Sequence, residues 1–335
     1  VFINGQSVLI TGNSDTLWTA TKTMTDSENE GPISFSVSVT DVNGNVARDI
    51  HTETTDSSSI NYDLTIPSIV HLSFTSDNET SPYYANTGHT LRLNIETSEV
   101  VEEPMVLVGG NTVDLTGQEK NWVASYLVSE SDQEGIISFN LEIKDLAGNF
   151  LSDISTTLDS SEVTIDRTAP NIIEVGISSA NGYGNDLSIP GDVVSVHFEL
   201  DEPVPMPEVL ISGSSAQVSG SGTLWVASKT MTELNDGGEI YFSISCKDFA
   251  NNSGSEVTAT TDSSKVVYDK TLPEITFLSI YSDNEYTDSV AIVGDTVTLV
   301  FQASEIIHFP VLTIGGKDVT FDTLDIDQVS GNVLW

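Results

Sequence analysis

Residues 193–200 read VVSVHFEL, which sets Val194, Val196, Phe198 and Leu200 on one face of an extended chain. TLRLNIE does the same with Leu91, Leu93 and Ile95, and TVTLVFQ with Val297, Leu299 and Phe301. A period of two with polar partners marks half-buried antiparallel strands. No stretch keeps a helical period. Turn residues recur every eight to twelve positions, the spacing of a β-sandwich.

The pattern repeats along the chain. Trp18, Trp122 and Trp225 are 104 and 103 residues apart, and Pro67, Pro170 and Pro273 are 103 and 103 apart. Gly88, Gly191 and Gly294, and Glu99, Glu202 and Glu305, keep the same step. A unit of this length matches one β-sandwich domain and is too long for a solenoid repeat. The expected units are 1–67, 68–170, 171–273 and 274–335, hereafter copies one to four. Val1 lines up with Val106 and Val209, so copy one is expected to lack its first two strands; copy four reaches Trp335 at the start of its fifth. Such ends suit a window on a longer repetitive chain, or a chain that pairs head-to-tail with copies of itself by strand complementation. Seven strands are predicted in copy three: 172–178, 192–200, 208–212, 216–219, 223–231, 240–248 and 256–268. The recurring Trp is assigned to the buried face of the fifth strand.

The set "GDTVTLVFQASE … IGG … W-x-A … EG-x-I-x-F … D-x-A-G-N … TTDSS … D-x-T-x-P" runs through the whole chain. It resembles the bacterial-type immunoglobulin-like and cadherin-like tandem repeats of large surface proteins and adhesins. Copy three departs from it, with DFANN for the Gly-containing turn, DGGE for EG and SAN for SDN. The resemblance implies an all-β chain of tandem immunoglobulin-like Greek-key sandwiches of about seven strands each. It also implies a structural rather than enzymatic role at a cell surface.

Composition narrows the partners. The 335 residues carry 50 acidic and 11 basic side chains, a formal charge of −39. Nucleic acids and anionic membranes need basic patches and are poor partners for such a surface. No run of 18 apolar residues marks a membrane span. The one cysteine, Cys246, falls in phase with Phe242 and Ile244, where copy two has Ile143, and reads as a small core residue.

Strand parity sorts the recurring acids by end of the domain. Glu99, Glu202 and Glu305 follow the second strand; Asp41, Asp145 and Asp248 follow the sixth; both sets fall where the chain enters. Asp26 and Glu30, Asp132 and Glu134, and Asp236 and Glu239 precede the sixth strand, and Asp63, Asp166 and Asp269 end the seventh. These fall where the chain leaves, as do Asp77, Asn78 and Asp283 after the first strand. End-to-end stacking therefore brings two acidic rims together. Hard oxygen donors gathered in flexible loops suit Ca²⁺, and the expectation is Ca²⁺ at each junction. The competing reading keeps the aspartates as turn formers, a role that glutamate does not share. Asp56, Asp159 and Asp262, in the DSS triplets, are placed at a bulge or kink in the last strand.

The five histidines fall at different repeat phases, and no nucleophile elbow, phosphate loop, zinc spacing or dinucleotide fingerprint occurs. Catalysis is not expected. Asn78-Glu-Thr and Asn251-Asn-Ser are sequons on predicted loops. The resulting expectation is an extracellular stalk or filament stiffened by Ca²⁺. Each domain adds on the order of 40 Å, from strands of about seven residues. Two rivals stay open: an adhesin module gripping cell-surface glycans or proteins through loops, and an accessory region of a secreted enzyme. Tyr83, Tyr84, Tyr183 and Tyr286, in the loop after the first strand, would either serve that adhesin or pack on the next domain.

Overall fold

The computed structural model describes residues 1–12, 15–308, 310–318, 325–326 and 333–334. Among them are strands, turns and loops and no helix. Trp335, at the head of the expected fifth strand of copy four, lies outside the described residues.

Copy two holds β1 (Ile69–Ser76), β2 (Tyr84–Ala85), β3 (Thr90–Thr97), β4 (Met105–Val108) and β5 (Asp114–Gln118), followed by β6 (Asn121–Leu127), β7 (Phe139–Lys144), β8 (Phe150–Ile154) and β9 (Thr164–Ile165). One sheet runs β5-β6-β3-β1, all antiparallel, and faces a second in which β4-β7-β8 are neighbours. Copy three repeats the plan with β10 (Ile172–Ser179), β11 (Leu187–Ser188), β12 (Val193–Leu200), β13 (Glu208–Ile211) and β14 (Gln217–Ser221), then β15 (Leu224–Thr230), β16 (Phe242–Ser245) and β17 (Val267–Tyr268). Its first sheet runs β14-β15-β12-β10. The register repeats as well: Leu93 faces Phe74 and Ala124, and Val196 faces Ile177 and Ala227.

Alternation does the packing. The apolar sides of β1, β3 and β6 meet those of β4 and β7 in one core, which includes Leu72, Phe74, Leu91, Leu93, Ile95, Leu141 and Ile143. Phe74 meets Phe139 edge-on, with centroids 5.5 Å apart. The equivalent faces of copy three form a second, separate core that takes in Trp225 and Cys246. The indole N–H groups of Trp122 and Trp225 donate to the carbonyls of Glu119 (3.2 Å) and Gly222 (3.0 Å), so the half-buried Trp122 and the buried Trp225 both have their polar edge satisfied. Trp18 of copy one is 63% exposed.

The last strand differs from the expectation. It is not continuous over 256–268; only Val267–Tyr268 forms a strand there, with an isolated bridge between Val257 and Ile244. In copy two the gap between β8 and β9 is a strap that crosses the outer edge of β1. Asp159 Oδ1 accepts from the Ser161 N–H (3.0 Å) and hydroxyl (2.6 Å), and Ser160 sits at φ +61°. The folded strap then uses main chain and hydroxyl together: Leu158 N–H donates to Leu72 O (3.1 Å), and Phe74 N–H donates to Ser161 Oγ (2.7 Å). Copy three repeats the device with Thr261 on Val175 and Ser264 on Ile177. The DSS aspartates thus fold a strap rather than a bulge, because the edge of the first strand needs partners. Ser161→Ala orphans the buried Phe74 N–H and is expected to lower stability by about 1–2 kcal/mol in a urea titration; an unchanged midpoint would remove the strap from the stabilising interactions.

The parallel pairs are short and terminal. β9 runs parallel to β2, with Thr164 N–H on Tyr83 O and Asp166 N–H on Ala85 O, both 2.9 Å. In copy three β17 pairs with β11 in the same sense.

Candidate metal centres at the joints

Two groups of acids come together among the described residues: Asp63, Glu99 and Asp145 at the joint of copies one and two, and Asp166, Glu202 and Asp248 at the joint of copies two and three. In each group one carboxylate oxygen per residue lies within 4.8 Å of the others. Three separate segments supply each group. The first acid ends a domain, the second follows the strand that crosses the next domain's first sheet, and the third opens the hairpin turn of that domain's second sheet.

The turn explains why the third acid is held so firmly. Asp145 Oδ1 accepts from the N–H groups of Ala147 (2.9 Å), Gly148 (2.7 Å) and Asn149 (2.8 Å). Its Oδ2 accepts from the Asn149 amide at 2.8 Å. Gly148, at φ +101°, lets the chain close this ring of donors. Asp248 does likewise with the Asn252 main chain (2.8 Å) and amide (2.6 Å), and in this copy Asn251 takes the left-handed position at φ +74°. The same Asn amide then crosses the joint: Asn252 Nδ2 reaches Asp166 O at 3.0 Å, and Asn149 Nδ2 reaches Asp63 O at 3.4 Å. Turn chemistry and joint chemistry therefore use the same residue. This bridging role of Asn149 and Asn252 is absent from the sequence reading, although Asn45, Asn149 and Asn252 recur at the repeat spacing.

Crowding shows in the proton affinities. Burial, then the nearby Asp166, Asp248 and Asp201 carboxylates, push Glu202 up to about 7. Burial, then Asp63 and Asp145, raise Glu99. Asp166 is raised, chiefly by burial. For Asp145 burial pulls upward too, but the donors of Asn149, Gly148 and Ala147 outweigh it and hold the carboxyl below its ordinary value. Each site thus has at least one carboxylate that pays electrostatically for being charged. The donors in each cluster are carboxylate oxygens, with no nitrogen or sulfur among them. An all-oxygen donor set of excess negative charge fits a hard divalent cation such as Ca²⁺.

The other acids expected at the joints serve their own domains. Asp132 accepts from Tyr126 Oη (2.6 Å) and Ser129 N–H (2.7 Å), pinning the loop before β7. Glu134 accepts from Arg167 N–H (2.8 Å), and Glu30 from Thr65 Oγ1 (2.9 Å), so both brace the linker after the last strand. Asp26, Asp236 and Glu239 are exposed and join no cluster. The counterparts of Asp132 are Glu28, which accepts from Thr25 N–H (2.7 Å), and Asn235, which accepts from Thr232 N–H (2.8 Å). An acid in a loop was read by its end of the domain, whereas its side chain turns back to an unpaired N–H nearby. At the third joint Asp269 accepts from Thr271 N–H (2.8 Å), while Glu305 Oε1 is buried without a hydrogen-bond partner. Among the described residues neither belongs to a three-acid group.

The joint of copies two and three is also packed. Tyr84 stacks on Phe249 of the DFANN turn, centroids 5.6 Å apart, and Asn86 bonds to Asn252. Asn78 Nδ2 donates across the joint to Phe249 O (2.8 Å) as well as to Tyr84 O (3.1 Å). Asn78 is 6% exposed, so this sequon is closed to a glycan. Asn251 is exposed on its turn.

No protein-family model and no curated protein matches the chain. Among solved structures, it is similar to the fibronectin(III)-like modules of Clostridium thermocellum CbhA, at 9% identity over 59% of this chain and 94% of that one, TM-score 0.32. It is similar also to the I9–I11 tandem of titin, at 9% identity over 78% and 88%, TM-score 0.28. The chain's own strand order, repeated in copies two and three, makes it all-β, built of tandem immunoglobulin-like sandwiches.

Proposed function

We propose that this chain is a non-catalytic, extracellular architectural rod whose joints are clamped by Ca²⁺. The observation that carries this reading is the recurrence of one three-acid constellation, drawn from two domains, at successive joints. Asp63, Glu99 and Asp145 would hold one ion, and Asp166, Glu202 and Asp248 the next. A bound cation cancels the repulsion that raises Glu99 and Glu202, and it ties the end of one sandwich to two loops of the following one. Bare, the same acids push the two rims apart. The rod would project or space material at a cell surface, or polymerise there.

Isothermal titration of the chelator-treated chain with Ca²⁺ tests the reading. Two strong sites are expected, with proton release on binding, because a ligand with a proton affinity near pH 7 must lose its proton first. The sign for stability follows. A carboxyl raised from 4.5 to about 7 keeps its proton longer in the folded chain than in the unfolded one. Its contribution is fully present below about pH 4.5 and is lost as pH rises to about 7. In chelator, stability therefore falls over that window, while Ca²⁺ affinity rises over it. Binding that ignores pH between 5 and 8, or no binding at all, would sink the assignment.

A further inference from the structure

The loop after the first strand is built the same way three times. Asn78 Oδ1 accepts from Thr80 N–H (3.0 Å), Asn181 Oδ1 from Tyr183 N–H (2.8 Å), and Asn284 Oδ1 from Tyr286 N–H (3.1 Å). Thr80, Tyr183 and Tyr286 therefore occupy one backbone position, 103 residues apart each time. In the joint of copies three and four this position is used: the Tyr183 ring lies against the His308 imidazole, centroids 4.8 Å apart and planes at 31°. In the joint of copies two and three Thr80 stands in place of the tyrosine and Pro205 in place of His308. Beside Thr80 a cavity of about 590 Å³ opens against the Pro205, Met206, Cys246, Lys247 and Glu256 edge of copy three. This joint has the seat for a ring and no ring in it.

We propose that the cavity binds an aromatic side chain of a partner protein, a tyrosine flanked by basic residues. The ring is assigned by the equivalent position of the next joint, which the chain fills with its own tyrosine. Size agrees, since pockets of roughly 300–1,000 Å³ take ligands larger than one ring. The lining agrees as well: Met206 is 71% exposed at the mouth, and a thioether is a good neighbour for an aromatic edge. The basic flanks follow from charge. Glu208 and Glu256 outnumber Lys247 at the rim, on a chain of net charge −39, so cationic residues beside the tyrosine gain from the field and acidic ones are repelled.

The chain has four methionines, Met24, Met105, Met206 and Met231, so methyl-labelled methionine gives a four-line NMR spectrum. The full 335-residue chain is titrated with acetyl-Lys-Tyr-Lys-amide, with the same peptide carrying alanine for tyrosine, and with acetyl-Glu-Tyr-Glu-amide. The Met206 methyl is expected to move with the first peptide while Met231, in the core, does not. The alanine peptide is expected to bind at least about tenfold more weakly, the worth of burying one ring, and the acidic peptide more weakly than the basic one. Thr80→Tyr is expected to fill the seat and abolish the response, on a backbone turn that already carries tyrosine at 183 and 286. Equal binding of tyrosine and alanine peptides, a still Met206 line at millimolar peptide, or an undiminished response in Thr80→Tyr each overturns the proposal. The peptide comparison on the unaltered chain stands whether or not the variant folds.

Discussion

Withdrawing Ca²⁺ is expected to lower the thermal midpoint of the chain by about 10–20 °C. A site held at a hundredfold excess over its dissociation constant stabilises the folded state by about 2.7 kcal/mol. For a sandwich of this size each kcal/mol moves the midpoint by roughly 4–8 °C. Copy two has the largest stake, because it contributes Glu99 and Asp145 to one cluster and Asp166 to the other. Calorimetry in Ca²⁺ and in chelator is the measurement. Traces that superimpose would leave the two clusters as acids that tolerate one another without an ion. Mg²⁺ is expected to restore little, since it demands a tight octahedral shell that three carboxylates on separate loops do not pre-form.

Asp145→Ala is expected to cost about 3 kcal/mol or more even in chelator. The carboxylate is 1% exposed and takes all four donors of its turn, three main-chain N–H groups and the Asn149 amide. Its removal leaves several of them buried and unpaired, each a loss of about 1–3 kcal/mol before relaxation. Glu99→Gln separates the ion from the turn. Glu99 is raised in proton affinity by burial and by Asp63 and Asp145, so a neutral amide there relieves strain. Stability in chelator is expected to hold or rise, and the response to Ca²⁺ at that joint to disappear. Urea titrations of both variants, with and without Ca²⁺, are decisive: equal losses in the two variants would mean that the acids share one structural role.

The repeat register and strand parity carried a large part of this architecture. Glu99 is far from Asp63 and Asp145 in sequence, yet counting odd and even strands places Glu99 and Asp145 at the entry end of one sandwich and Asp63 at the leaving end of the one before it. The same count located Trp225 and Cys246 in the core, because a period of two leaves only one choice of face. Side-chain direction within loops is where the count stops. Asp132 and Glu134 lie at the expected end, but each turns to an unpaired donor of its own domain, Ser129 or Arg167, rather than to the next domain. The seventh strand illustrates a different limit. Its apolar positions change phase between Val257 and the buried Val266 and Tyr268, and the edge of β10 needs partners for Val175 and Ile177, which the Thr and Ser hydroxyls of the segment supply only if the strand is given up. Asn78 was read as a loop amide open to modification; what closes it is the carbonyl of Phe249, 171 residues further on, which no local pattern announces.

The direction of β9 beside β2 sets how these modules would carry tension. The chain enters a sandwich along β1 and leaves it along β9, at opposite ends. A pull on the two ends of a module would therefore drag β1 along its own axis against β3, and β9 along its own axis against β2. Both ladders are loaded in shear, so their hydrogen bonds resist together instead of parting one by one. The N–H of Asp166 closes the β9 ladder on Ala85, and the carboxylate of that same residue belongs to the cluster at the next joint. An ion bound there would anchor the strand end that tension reaches first, and the mechanical strength of the module would then follow the concentration of that ion.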